Sequence, residues 1–179
     1  MGIRFCILLM LVGEAYMILP KTYEVRFESF NSTCGEYCDF SKIRLMGRDH
    51  KANGTMELKQ DFDNDNFFVS GESFIDSNGS GEYKKLPFTI PKQPICNALE
   101  SYAVYFDASL KYGENTDFPL DARPCPVPKG VYYFKDVLIK TDDWPAIMPR
   151  GYFKAVANLI KNDEVVASLE IVAHITDLF

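Results

Sequence analysis

The 179-residue sequence predicts an all-β fold, a two-sheet antiparallel β-sandwich with one short helical insert. Three observations predict it. Apolar and polar residues alternate along several short runs, turn-forming residues separate those runs, and a single stretch breaks the two-residue period.

The elements follow in chain order. Tyr23, Val25 and Phe27 alternate with Glu24, Arg26 and Glu28, which gives a half-buried strand. Residues 55–61 place Met56 and Leu58 on one face. Residues 67–75 are aromatic and β-prone, and Asn78-Gly79 supplies a turn after them. A further strand spans 83–90 and is closed by Pro91 and Pro94. From 95 to 111, Ala98, Leu99, Tyr102, Ala103, Tyr105, Phe106, Ala108 and Leu110 fit a helical period better than a strand. A short helix or helical loop is therefore expected, ending near Gly113. Residues 131–139 and 152–160 are strands, and Asn162-Asp163 turns the chain. Leu169, Ile171, Ala173 and Ile175 then alternate with Ser168, Glu170, Val172 and His174, so the last two strands form a hairpin.

Composition narrows the function. The chain is 47% hydrophobic, which excludes disorder, and its length suits one domain with a sizeable core. A net charge of −6 without a basic run excludes nucleic acid as a partner, because phosphate recognition needs clustered Lys and Arg.

The first residues read as a signal peptide, 1–15. Arg4 gives the positive start, 5–12 is an unbroken apolar run, and Gly13-Glu14-Ala15 places the cut before Tyr16. The run is too short to span a bilayer, which takes about 20 residues. Residues 16–179 are then expected as a single extracellular, secreted domain. Two features agree with export. Removal of Cys6 leaves Cys34, Cys38, Cys96 and Cys125, an even set that predicts two disulfides. Local pairs, Cys34 with Cys38 and Cys96 with Cys125, are favoured, and pairing of Cys34 or Cys38 with Cys96 stays open. Three glycosylation sequons begin at Asn31, Asn53 and Asn78 and mark expected surface positions.

Two segments carry a resemblance. One runs from Cys96-Asn97-Ala98-Leu99 to Pro124-Cys125-Pro126. The other reads CPVPKGVYYF over 125–134, continues through Trp144-Pro145-Ala146-Ile147-Met148-Pro149-Arg150-Gly151-Tyr152-Phe153, and closes with the final hairpin. Over 90–177 this resembles the GM2-activator type of MD-2-related lipid-recognition domain. It is also similar to secreted insect families related to that fold, among them the chemosensory CheB proteins and a group of uncharacterised fly proteins. The resemblance implies an immunoglobulin-like sandwich whose sheets splay around an apolar cup. It also implies binding of a lipid or other long apolar ligand, perception of a chemical signal such as a pheromone, and no catalytic residues or cofactor. The GM2-activator pattern has further cysteines, one of them in the last hairpin where this chain has Ser168, so lipid specificity does not carry over.

Tyr102, Phe106, Phe134, Phe153, Ala155, Leu159, Leu169 and Ile171 are the expected lining of the cup, with room left by the small Ala155 and Ala157. Trp144, Ile147 and Met148 lie on a proline-bounded loop expected at the rim, in contact with ligand, a membrane surface or a receptor. Alternatively these side chains fold back to cap the core. Arg150 and Lys154 are expected to meet a polar head group. A rival reading is an interaction module with a filled core that docks through the Trp144 loop. An enzyme is not expected, because His50 and His174 stand apart and no catalytic motif appears. No metal site is expected either: the acidic run 61–66 lacks the central Gly and closing Glu of a calcium loop.

Overall fold

The computed structural model describes residues 21–178. The signal-peptide segment, its cut before Tyr16 and Cys6 lie outside the described residues.

Two antiparallel sheets make the fold. The first runs in the order β1 (Tyr23–Thr33), β9 (Glu164–Asp177), β8 (Gly151–Lys161), β5 (Phe68–Asp76) and β6 (Lys84–Pro94). The second is built on β4 (Lys51–Leu58). On one side β4 pairs with the short β2 (Cys38–Asp39) and β3 (Arg44–Met46), and on the other with β7 (Gly130–Val137). The closing hairpin forms as expected, and Asn162 and Asp163 both adopt positive φ (51° and 64°), the geometry a tight hairpin turn needs.

Several boundaries differ from the sequence expectation: the strand expected at 55–61 is Lys51–Leu58, the one expected at 131–139 ends at Val137, and two further differences have a clear cause. β6 continues through Pro91 to Pro94, because it is an edge strand and a residue without N–H costs nothing on an unpaired side. The helix α1 (Ile95–Tyr102) ends well before Gly113, passing into a 3-10 turn at Ala103–Tyr105. The i→i−3 bonds that follow, Phe106 N to Ala103 O (2.9 Å) and Ser109 N to Phe106 O (2.9 Å), tighten the chain into turns. Val104, Tyr105 and Phe106 are poor helix formers, and nothing in them favours continuation. The start of α1 is held from outside: Ile95 N–H donates to Phe67 O (3.0 Å) and Cys96 N–H to Asn64 Oδ1 (2.9 Å).

The disulfides are Cys34–Cys38 and Cys96–Cys125, the two local pairs. The second fastens α1 to the approach to β7.

Buried apolar residues form two clusters. One holds Met56, Leu58, Phe62, Phe67, Ile95, Val127, Tyr132 and Leu159 among its members. The other holds Tyr23, Val25, Met148, Ala173 and Ile175. β8 and β9 contribute to both, one cluster near each end of the hairpin.

The turn after β5 is anchored by Asp76, which is buried although ionisable. Its carboxylate accepts from the N–H groups of Gly81 (2.6 Å), Asn78 (3.1 Å) and Ser80 (3.2 Å). Burial pushes the carboxyl pKa up, but these N–H bonds together outweigh it and hold the pKa below the ordinary 3.8. A depressed folded-state pKa stabilises the fold above the ordinary carboxylate range and loses that contribution as pH falls through the folded value. Asp39 and Asp63, depressed chiefly by bonds from Ser41 and Asn66 respectively, share the acid limb. Asp76→Asn is therefore expected to lower the melting temperature at pH 7 and to shrink the difference between pH 7 and pH 3. Melts followed by circular dichroism at the two pH values check this. Gly151 packs against the same turn: with φ 115°, a Cβ there would lie 2.4 Å from Asp76 O, so only glycine fits.

Candidate functional site

Register decides which side chains face the second sheet. Phe153, Ala155, Ala157 and Leu159 of β8 pair with Ala173, Ile171, Leu169 and Ala167 of β9 and share one face. Leu159 and Ala167 are buried in the first cluster, and Ala173 in the second, with Phe153 packed against it. Facing sheets ordinarily interdigitate along their whole inner surface. Here the middle does not. Ala155, Leu169 and Ile171 are only half-buried, Ala157 is exposed, and none of the four belongs to either cluster. An apolar strip thus lies uncovered between two buried ends. On β1, Phe30 pairs with Ile171 and is half-buried, its ring 6.4 Å from Phe40.

A cavity of about 770 Å³, open to solvent, adjoins the second cluster. Tyr23, Val25 and Phe27 of β1 form one wall. The others are Arg48, Asp49 and His50, between β3 and β4, and the segment from Leu138 to Asp142 beyond β7. The first sheet and the segments flanking strands of the second therefore contribute, and its size falls in the range of small-molecule sites, roughly 300–1,000 Å³. His50 Nδ1 donates to Phe27 O (2.6 Å) and ties the 3-10 turn to β1. The lining is mixed: Val25, Phe27, Leu138 and Ile139 stand beside Arg26, Arg48, Asp49 and Lys140. Arg26 pairs with Glu24 (2.6 Å) and Asp49 with Lys51 (3.7 Å), while Arg48 and Lys140 have no ion pair among the described residues.

The expected lining residues separate into groups. Ala155, Leu169 and Ile171 form the uncovered strip. Leu159 is core, and Phe134 packs on the same cluster. Tyr102 and Phe106 are half-buried at the end of α1 and in the turns after it, and belong to neither cluster. The loop divides. Met148 is buried in the second cluster, Trp144 caps that cluster and donates its Nε1–H to Tyr105 O (2.8 Å), and Ile147 is 78% exposed. Folding back thus accounts for two of the three.

The two basic residues expected at a head group are engaged elsewhere. Arg150 donates to Asp177 Oδ1 (2.8 Å) and Thr22 Oγ1 (3.0 Å) and lies over the Tyr23 ring, joining the loop to β1 and β9. Lys154 lies on the opposite face of β8 from Ala155, over the Tyr83 ring at 4.1 Å, because neighbouring strand residues point to opposite sides. Tyr23 O–H donates to Pro145 O (2.6 Å). Burial raises the phenol pKa, against the pull of Arg150, so it stays protonated as a donor.

His174 stacks on Tyr152 with centroids 4.4 Å apart and lies 3.9 Å from Glu28. In the acidic run, Asp63 Oδ1 accepts from the N–H groups of Asp65 (2.9 Å) and Asn66 (2.7 Å), so this carboxylate organises its own turn. Of the sequon residues, Asn31 and Asn78 are exposed, while Asn53 is half-buried and accepts from Asp136 N–H (2.9 Å). Sequence reasoning missed Phe30, Arg48, His50, Leu138 and Lys140. The alternation in β1 carried a signal for Phe27, but no local pattern links the turn before β4 to the end of β7.

Residues 70–155 match a family model described as "Protein of unknown function (DUF1091)". The match runs from within β5 to within β8 and includes α1, the Cys96–Cys125 bridge, β7 and the Trp144 loop. No curated protein matches the chain.

Proposed function

We propose that this chain is a secreted binding protein for an amphiphile with a long apolar tail, and that the strip and the cavity form one ligand path. The observation that supports this most directly is the exposure of Ala157, with half-buried Ala155, Leu169 and Ile171 around it, on a face buried at both ends. Apolar residues in such a position gain by covering, and an alkyl chain supplies about 0.8 kcal/mol per buried CH₂. The cavity beside Phe27 is the mouth, where Arg48 and Lys140 meet the polar head. Its charged half favours a fatty acid or glycolipid over a bare hydrocarbon. Resemblance to chemosensory families makes an apolar chemical signal the natural cargo.

Displacement of a fluorescent fatty acid by fatty acids of increasing length tests the reading. Affinity is expected to rise roughly threefold to fourfold per added methylene until the path is full. No uptake, or affinity independent of length, would count against it.

A further inference from the structure

The fold divides the three sequons. Asn31 and Asn78 are exposed, and their side-chain amides make no hydrogen bond among the described residues. Asn31 pairs with Glu170 of β9, while its neighbour Phe30 pairs with Ile171 of the strip. Neighbouring strand residues point to opposite sides, so Asn31 leaves from the outer face of the first sheet. Asn78 lies in the turn after β5, and that turn folds over Tyr152: a Cβ on Gly79 would meet its ring at 3.0 Å. Tyr152 precedes the inward Phe153 on β8, so this turn also sits on the outer face.

Asn53 is different. Its Oδ1 accepts from Asp136 N–H (2.9 Å) and its Nδ2 donates to Asp136 Oδ1 (3.5 Å), which closes a ring between β4 and β7. The ring sits where the β4–β7 register shifts between Ala52 and Gly54, and Asp136 is held there at φ 51°. Transfer of sugar from a lipid-linked oligosaccharyl diphosphate forms a bond from asparagine Nδ2 to the sugar C1, breaks the C1–O bond to the diphosphate, and releases one amide proton. The product amide is planar and trans, which puts the sugar on the same side as Oδ1. On that side Asn53 faces Asp136, so sugar and ring compete for one place.

We infer that the secreted protein carries N-linked oligosaccharide on Asn31 and Asn78 and is bare at Asn53, so that its sugar covers the outer face of the first sheet. The inference rests on the secreted reading, since the transfer belongs to the secretory pathway. Sugar reaches the chain before folding is complete, so selection falls on the product. A chain modified at Asn53 cannot close the ring, loses two bonds at the β4–β7 bulge, and is held back from export.

Trypsin places the three asparagines on separate peptides, 27–42, 52–59 and 60–84. The full chain is expressed in mammalian cells, and site occupancy is measured by mass spectrometry on secreted and cell-retained protein. In the medium, Asn31 and Asn78 are expected to be occupied and Asn53 about tenfold less or lower, as follows from two lost hydrogen bonds. Any sugar at Asn53 is enriched in the cells. Asp136→Gly keeps the N–H and suits the positive φ while removing the carboxylate from the sugar's place. Secreted occupancy at Asn53 is expected to rise several-fold in that variant; an unchanged, low occupancy overturns the ring as the cause. If the variant is not secreted, Thr55→Ala decides, because it destroys the sequon and leaves the ring intact. It is expected to lose no oligosaccharide, whereas Thr33→Ala and Ser80→Ala each lose one. Loss of an oligosaccharide in Thr55→Ala overturns the bare site, and a bare Asn31 or Asn78 in the medium overturns the assignment of that residue. Protein in the medium with Asn53 as fully occupied as Asn31 overturns the inference and leaves the secreted reading standing. Protein confined to the cells with no sugar at any site overturns the secreted reading, and the inference with it.

Discussion

Ala157→Phe is expected to weaken fatty-acid binding about a hundredfold while leaving the melting temperature unchanged or slightly higher. Ala157 faces the second sheet but is exposed, so a phenyl ring added there enters open space and meets apolar neighbours, Leu169 directly across and Ile171 beside it. A ring in that place excludes three or four methylenes of a bound chain, about 3 kcal/mol of lost burial, hence the hundredfold. A tightly packed interior gives the reverse: overpacking costs typically 1–3 kcal/mol of stability. Titration and thermal melts on the same variant therefore separate an open strip from a filled core.

Replacing Cys96 and Cys125 together by Ala is expected to cost about 3–4 kcal/mol of stability, because that bridge closes a loop with a sequence separation of 29. For a domain of this size that corresponds to a drop of roughly 6–16 °C in melting temperature, measurable by circular dichroism. The loss should be local first. The N-terminal turn of α1 is held by Phe67 O and the Asn64 side chain, and without the bridge these bonds and the burial of Ile95 and Ala98 are what secure the helix. Amide exchange over Ile95–Tyr102 should therefore accelerate more than exchange in the β8–β9 hairpin. Loss of the Cys34–Cys38 bridge should cost less, about 2 kcal/mol, because its loop is far shorter. Equal effects of the two would contradict the loop-length argument.

Much of the architecture was legible because register and burial act locally. Alternation in 168–175 fixed which residues of β9 point inward, and Asn162-Asp163 fixed the turn, so the closing hairpin followed directly. β2 and β3 were not legible: at two and three residues they are too short to show a period, and their pairing depends on β4. The helix end was misjudged because Val104, Tyr105 and Phe106 are as apolar as a helical face while forming turns. The site was legible in its strip, where Ala155, Leu169 and Ile171 follow from alternation. Arg150 and Lys154 show the limit. Lys154 adjoins Ala155 in sequence and therefore points away from it, and Arg150 is drawn to Asp177 and Tyr23 across strands that no local pattern connects. The basic groups at the mouth, Arg48 and Lys140, lie far apart in the chain and meet only through the fold.

A crystal structure of the protein secreted from eukaryotic cells tests the central claim most directly. The account predicts elongated density between the sheets, in contact with Ala155, Ala157, Leu169 and Ile171 and reaching the cavity beside Phe27. Side chains of the second sheet packed against those four residues, with no space for a guest, would contradict it.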